Sequence, residues 1–175
     1  MANVIRELGV PAGAVVLAGD LLKTFAAGGL CLLLFPALRP GRLAVLYAGV
    51  GTCLGHNYPF WQIRHGGKGV AVTCCTIFDT MPLWGLIANI VGMLVVFATG
   101  YLPLGAVVIT TVFLIPAACF GGLETFLLAA VLDLLMLLRH RHGLKRILQG
   151  TEKRNMQLFH RHDQERNIKD TNGKV

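Results

Sequence analysis

The sequence predicts an all-α integral membrane protein: a polytopic helical bundle of about six membrane-embedded segments, two of them short. Three observations lead there. Of 175 residues, 54% are hydrophobic and only 14% charged, with a mean hydropathy of +0.62; an average soluble domain carries roughly 25% charge. The apolar residues come in long runs separated by Gly, Pro and charged turns. The charge is also lopsided. Residues 1–138 hold six Lys or Arg against five Asp or Glu, a net of +1, whereas residues 139–175 hold ten against four, a net of +6. An apolar body with a basic end predicts a membrane protein whose tail stays in the cytoplasm.

Taken in order, residues 1–11 are a short polar start with Asn3, Arg6 and Glu7. No cleavable signal peptide is expected, because the apolar run that follows is too long for a signal h-region. From Ala12 to Ala37 the chain is apolar except for Asp20, Lys23 and Thr24, and it is long enough to cross a bilayer. Asp20 and Lys23 are three apart, on one helical face, and both should face protein rather than lipid. Mutual neutralisation is the plain explanation for the pair, and a polar cavity the functional one. Arg39-Pro40-Gly41-Arg42 is a turn, and Leu43–Leu54 is a short apolar run. Val70–Phe78 is short as well, closed by Asp79 and Pro82. Leu83–Ala98, Leu104–Phe120 with Pro116, and Leu123–Leu138 with Glu124 and Asp133 complete the spans. Short helices are admissible where protein satisfies the backbone at their ends. Six crossings, with Arg6, the Arg64–Lys68 region and the basic tail on one side, place both termini in the cytoplasm.

Between the two short runs lies the densest polar stretch, Gly55-His56-Asn57-Tyr58-Pro59-Phe60-Trp61-Gln62-Ile63-Arg64-His65-Gly66-Gly67-Lys68-Gly69. Gly66, Gly67 and Gly69 around Lys68 leave backbone N–H groups beside a point charge, just ahead of an apolar run that can supply a helix N-terminus. That is a phosphate or carboxylate nest; a basic turn at the membrane edge is the alternative. No Ser or Thr follows the lysine, which excludes a nucleotide-hydrolysing loop.

The tail opens Arg139-His140-Arg141-His142-Gly143-Leu144-Lys145-Arg146. Lys145 and Arg146 read first as anchors on the cytoplasmic side and second as phosphate contacts. Residues 153–175 are polar and predict a disordered tail after a single domain over 1–152. His140 and His142, like His160 and His162, are spaced i,i+2, and Cys31, Cys53, Cys74, Cys75 and Cys119 sit in apolar stretches. No metal, no cofactor and no disulfide is expected; the cysteines read as buried small hydrophobes. Nothing marks a nucleic-acid module. Oligomeric state is not readable.

With these clusters assembled, the sequence resembles the bacterial membrane-embedded acyl-phosphate:glycerol-3-phosphate acyltransferase family. Gly55–Pro59 and Gly66–Ala71 match its central Gly-His-Asn-x-x-Pro and Gly-Gly-Lys-Gly-Val-Ala motif. Ala2, Asn3, Val4, Ile5 and Arg6 look like the end of its first motif, and Asp20-Leu21-Leu22-Lys23 like the element that follows. Arg139, His140, Arg141, Arg146, Gly150 and Glu152 agree with its third motif. The match departs twice. The family carries a further helix and a Gly-Ser-Gly-Asn segment ahead of the point where this chain starts, and it has Asn at the position of Gly143.

The resemblance implies transfer of an acyl group from acyl-phosphate to the 1-hydroxyl of sn-glycerol 3-phosphate in a bacterial inner membrane, without a cofactor. It implies that Gly66, Gly67, Lys68 and Gly69 cradle one phosphate while Arg6 and Lys23 neutralise a second, Asp20 orienting Lys23. Lys145 and Arg146 close the site, with Glu152 beside them. His56 or His140 assists proton transfer, and Asn3 and Asn57 hydrogen-bond the glycerol or orient the loops. Arg6 near a free chain end predicts weak or no transfer by the chain as it begins at Met1. Two other functions fit the same residues: an inactive shortened family member, and a membrane transporter of an anionic solute.

Overall fold

The computed structural model describes residues 2–38, 42–60, 66–152 and 154, with the backbone alone at residues 2, 3 and 6. Seven α-helices and one 3₁₀ turn account for nearly all of them: α1 Ala2–Leu8, α2 Val10–Leu34, the 3₁₀ turn Pro36–Leu38, α3 Leu43–Asn57, α4 Val70–Thr80, α5 Pro82–Thr99, α6 Leu102–Phe120 and α7 Gly122–Leu148. Helices α2 to α7 form the six expected segments, alternating in direction, each packed on the next, with α7 returning to lie against α3. Pro11, Pro82 and Pro103 stand in the first turns of α2, α5 and α6, where a missing N–H costs nothing.

Three helices, α2, α5 and α6, are long and apolar enough to cross a membrane. Helices α3 and α4 have 15 and 11 residues, about 22 and 16 Å at 1.5 Å per residue, short of a hydrocarbon core of about 30 Å. The outer surface is apolar: Val15, Leu94, Phe97, Ile115 and Leu123 are all exposed, as lipid-facing side chains are. Inside, small and hydroxylated residues let helices approach closely beside large buried side chains such as Phe113, Leu46 and Leu132. A Cβ on Gly92 would come within 2.8 Å of the Gly105 carbonyl oxygen, and one on Gly105 within 2.7 Å of that of Gly92, so α5 and α6 cross backbone to backbone. One level along, the Asp133 carboxylate of α7 accepts from the hydroxyls of Thr110 at 2.5 Å and Thr111 at 3.1 Å on α6.

Two expectations are corrected. The polar start is helical over Ala2–Leu8, and α1 folds back so that Ile5 covers Gly13, where an added Cβ would sit 2.1 Å from Ile5 Cγ1. The basic tail does not begin at Arg139: α7 runs on through Leu148, because Arg, Leu and Lys are good helix formers and Gly143 is tolerated inside it. The expectation of buried cysteines is met only by Cys53 and Cys75; Cys31 and Cys74 are half-buried and Cys119 is exposed. The tail beyond residue 154 lies outside the described residues.

The bundle has two polar ends. At one, Arg42 pairs with Asp79 at 2.8 Å, and the Tyr47 hydroxyl donates to Glu124 at 2.5 Å. Apolar cavities of about 340 Å³, beside the stacked Trp84 and Phe120, and about 300 Å³, beside Phe35 and Tyr47, open at that end. The other end carries the glycine–lysine loop.

Candidate active site

The site is built on the loop between α3 and α4. Gly69 takes φ +75 in the left-handed region and caps α4, and it lies so close over Asn57 and Cys53 that a Cβ would stand 2.8 Å from Asn57 Oδ1 and 2.9 Å from Cys53 Sγ. Only glycine meets both conditions. Asn57 is 0% exposed, with Nδ2 directed to Cys53 Sγ at 3.5 Å. Cys53 in turn contacts the Thr73 hydroxyl at 3.6 Å. These side chains form a buried floor beneath the loop. The first turn of α4 has no side-chain cap.

Next to Gly67 stands the charged part of the site. Lys23 Nζ donates to Asp20 Oδ1 at 2.6 Å and to His56 Nδ1 at 2.8 Å. An ammonium donating to Nδ1 leaves the ring proton on Nε2, the nitrogen that faces Gly67. A Cβ on Gly67 would lie 1.8 Å from that Nε2. The Gly67 N–H donates to the His56 carbonyl at 3.0 Å. The pairing of Asp20 with Lys23 was legible from their spacing in α2; the third member, His56, comes from α3.

Helix α7 supplies the opposite wall. Arg139 Nη2 donates to the Gly66 carbonyl at 2.6 Å and to the Gly67 carbonyl at 2.7 Å, while Nε donates to the Gly67 carbonyl at 3.1 Å. Its guanidinium lies 5.1 Å over the Tyr58 ring. The next residue, His140, is buried and its Nδ1 donates to the Met136 carbonyl at 3.0 Å, leaving Nε2 as the acceptor nitrogen. Lys68 and Arg139 are its charged neighbours, which brings the loop lysine and the α7 histidine into one electrostatic field. Lys68 itself is exposed.

The cluster is recessed. Asp20 lies ten residues into α2, which starts at Val10, and Arg139 lies nine residues before the end of α7 at Leu148. Each helix thus extends roughly 13–15 Å beyond the site. The first turns of α2 that do so are apolar and exposed at Val10 and Val15, whereas the last turns of α7 are basic.

Of the expected site residues, the structure therefore brings together Asp20, Lys23, His56, Asn57, Gly66, Gly67, Lys68, Gly69 and His140. Arg146 and Glu152 are occupied with each other: their side chains pair, and the Glu152 N–H donates to the Arg146 carbonyl at 3.2 Å. Lys145 is exposed on the same turn. The side chains of Asn3 and Arg6 lie outside the described residues. Gly143 packs on Pro103, where a Cβ would come within 2.7 Å of the proline ring. A side chain at that position needs α6 to move. Arg139 had been read only as a motif match; its reach to the loop was missed, and the one hint was its place beside His140.

Fold and site together define an integral membrane protein with a recessed, cation-bearing polar cluster at one end of a helical bundle. The chain belongs to the glycerol-3-phosphate acyltransferase family, whose model matches residues 1–150. The glycerol-3-phosphate acyltransferase of Thermoanaerobacter sp. (strain X514) is 34% identical over 153 residues, covering 87% of this chain and 75% of the relative. That of Bacillus subtilis (strain 168) is 34% identical over 152 residues, covering 86% and 75%. Among solved structures, the fold is similar to PlsY (YgiH), an integral membrane glycerol 3-phosphate acyltransferase. Its glycerol 3-phosphate form gives a TM-score of 0.77 at 27% identity, covering 87% of this chain and 76% of that one. Its lysophosphatidic acid form gives 0.76 at 28%, covering 87% and 77%. The protein is an integral membrane acyltransferase.

Proposed function

We propose that this protein transfers an acyl group from acyl-phosphate to the 1-hydroxyl of sn-glycerol 3-phosphate, releasing 1-acylglycerol 3-phosphate and phosphate. The observation that carries the reading is the Lys23 ammonium bridging Asp20 and His56 directly beside Gly67. It puts a held cation and a glycine loop with a second lysine within one recess, as two phosphate-bearing substrates require. The glycerol 3-phosphate and lysophosphatidic acid forms of the similar structure support substrate and product.

In the step, the hydroxyl oxygen forms a bond to the acyl carbonyl carbon, the bond from that carbon to the phosphate oxygen breaks, and phosphate leaves. Acyl-phosphate is already activated, so the catalyst's task is to gather two anions and hold them in line. Gly66, Gly67, Lys68 and Gly69 cradle one phosphate. Lys23, set by Asp20, neutralises the other together with Arg6. The hydroxyl proton goes to His140 Nε2 or to a substrate phosphate; His56, expected as an alternative base, has Nδ1 engaged by Lys23 and its proton on Nε2, and so acts as a donor facing the loop. Asn57, fully buried under Gly69, serves in the loop-orienting of its two expected roles. Lys145, Arg146 and Glu152 belong to the rim of the site, and Asn3 to the first motif. Residues 1–152 act as one domain, seated in the bacterial inner membrane with the loop end and both termini on the cytoplasmic side, as the basic end of α7 favours.

The test is Lys68→Met, which removes the charge and keeps most of the length. Membrane insertion should be normal and kcat/KM for acyl transfer should fall by about 100-fold, the cost of a charge-assisted contact made in the transition state. Turnover within about twofold of the parent would make the lysine a topology determinant only.

A further inference from the structure

We propose that Arg139 is a positioning residue that turns the Gly66–Gly69 loop into an anion-holding surface by drawing its carbonyl oxygens to one side. The proposal rests on the loop holding a phosphate, as argued above, and adds how the loop comes to do so.

A stretch of glycines has no preferred presentation. Each peptide unit carries an N–H that attracts an anion and a carbonyl that repels it, and these point in opposite directions across a trans peptide. Among the described residues there is no cis peptide bond. The Gly66 carbonyl faces Arg139 at 2.6 Å, and the N–H of that same peptide, on Gly67, bonds the His56 carbonyl on the other side. The Gly67 carbonyl also faces Arg139, at 2.7 and 3.1 Å. The N–H of its peptide belongs to Lys68 and is turned away from the guanidinium. Two successive carbonyl dipoles are thus removed from the face that bears the Lys68 N–H.

The need for such a device follows from the depth of the loop. Gly66–Gly69 stands beside His56 and Arg139, well inside the ends of α2 and α7, so irregular backbone lies within the recess, where protein rather than solvent must satisfy its carbonyls. Arginine suits this task and lysine does not. One planar fork reaches two consecutive carbonyls while its face stacks on Tyr58 at 5.1 Å. A lysine ammonium has the charge without the fork.

The experiment compares Arg139→Ala and Arg139→Lys with the parent, using full-length protein. In Arg139→Ala the KM for the substrate whose phosphate the loop holds should rise about tenfold or more. The KM for the other substrate should stay near the parent value, and the melting temperature should fall modestly, because two recessed carbonyls lose their donor. Guanidinium added at a non-denaturing concentration should lower the raised KM, and methylammonium should not. Arg139→Lys, which keeps the charge and guards against a folding defect, should fall between the two. Stabilisation by inorganic phosphate, read as a shift in melting temperature, should be present in the parent and lost in Arg139→Ala. That readout needs no turnover, so absence of acyl transfer by the parent would sink the proposed reaction and leave this proposal testable. The proposal is overturned by parent-like KM values in Arg139→Ala. It is equally overturned by a loss of kcat and melting temperature with both KM values unmoved, which is what a purely structural latch gives, or by a parent that phosphate does not stabilise.

Discussion

At Gly67 a single methyl group is too much. The His56 ring occupies the place where a Cβ would go, 1.8 Å from Nε2, so Gly67→Ala must displace either the loop or the imidazole. Displacing the ring breaks its 2.8 Å contact with Lys23, and displacing the loop moves the phosphate-holding backbone. Positioning catalysis is sensitive to shifts near 1 Å, so kcat/KM is expected to fall by about 100-fold. Helix content measured by circular dichroism should not change. A variant within about twofold of the parent would show that the contact between Gly67 and His56 has no part in turnover. The residues of the site were individually legible in the sequence, because Gly-Gly-Lys-Gly and a charged pair inside an apolar run are conspicuous. Their mutual arrangement was not. Lys23 meets His56 across 33 residues and Arg139 meets Gly67 across 72, and such contacts follow from helix packing rather than spacing.

Helices carry these residues to the site, and their unequal lengths decide where it lies. The apolar runs announced α2 to α6 to within about three residues at each end, since each is bounded by Gly, Pro or charge. Helix α1 escaped notice because seven residues are too few for a 3.6-residue period to register, and it is held by Ile5 packing on Gly13 rather than by its own propensity. The far end of α7 was missed for a different reason: the onset of charge at Arg139 looks like a helix end, although Arg and Lys favour helix as Leu does. That basic extension is also the strongest argument for orientation. With cysteine introduced at Leu148 and at Leu123, both exposed and at opposite ends of α7, in a background without the five native cysteines, a membrane-impermeant maleimide should label the two from opposite sides. Leu148 should react from the cytoplasmic side. Labelling of both from one side, or of Leu148 from the outside, would refute the orientation.

For the molecule as a whole, the arrangement separates tasks between two ends of one bundle. Arg42 with Asp79 and Tyr47 with Glu124 tie the helix ends together at the face away from the loop, while the loop end gathers Asp20, Lys23, His56, Gly66–Gly69, Arg139 and His140. A recess flanked by apolar turns of α2 and basic turns of α7 suits a substrate with a lipid tail and a phosphate head. On the proposed reading, the same recess takes the small phosphorylated acceptor. Asp133, held between Thr110 and Thr111 in the interior, locks α6 to α7 and so fixes the helix that carries Arg139. On the reading proposed above, the cations gathered at this end serve a donor whose own leaving group is phosphate. The most direct test is product formation by the purified protein in liposomes with glycerol 3-phosphate and, in turn, acyl-phosphate, acyl-CoA or acylated carrier protein as donor. The sign of each result matters here, whatever the rate. The account predicts 1-acylglycerol 3-phosphate with acyl-phosphate alone; product from acyl-CoA or the carrier protein, or none from acyl-phosphate, would contradict it.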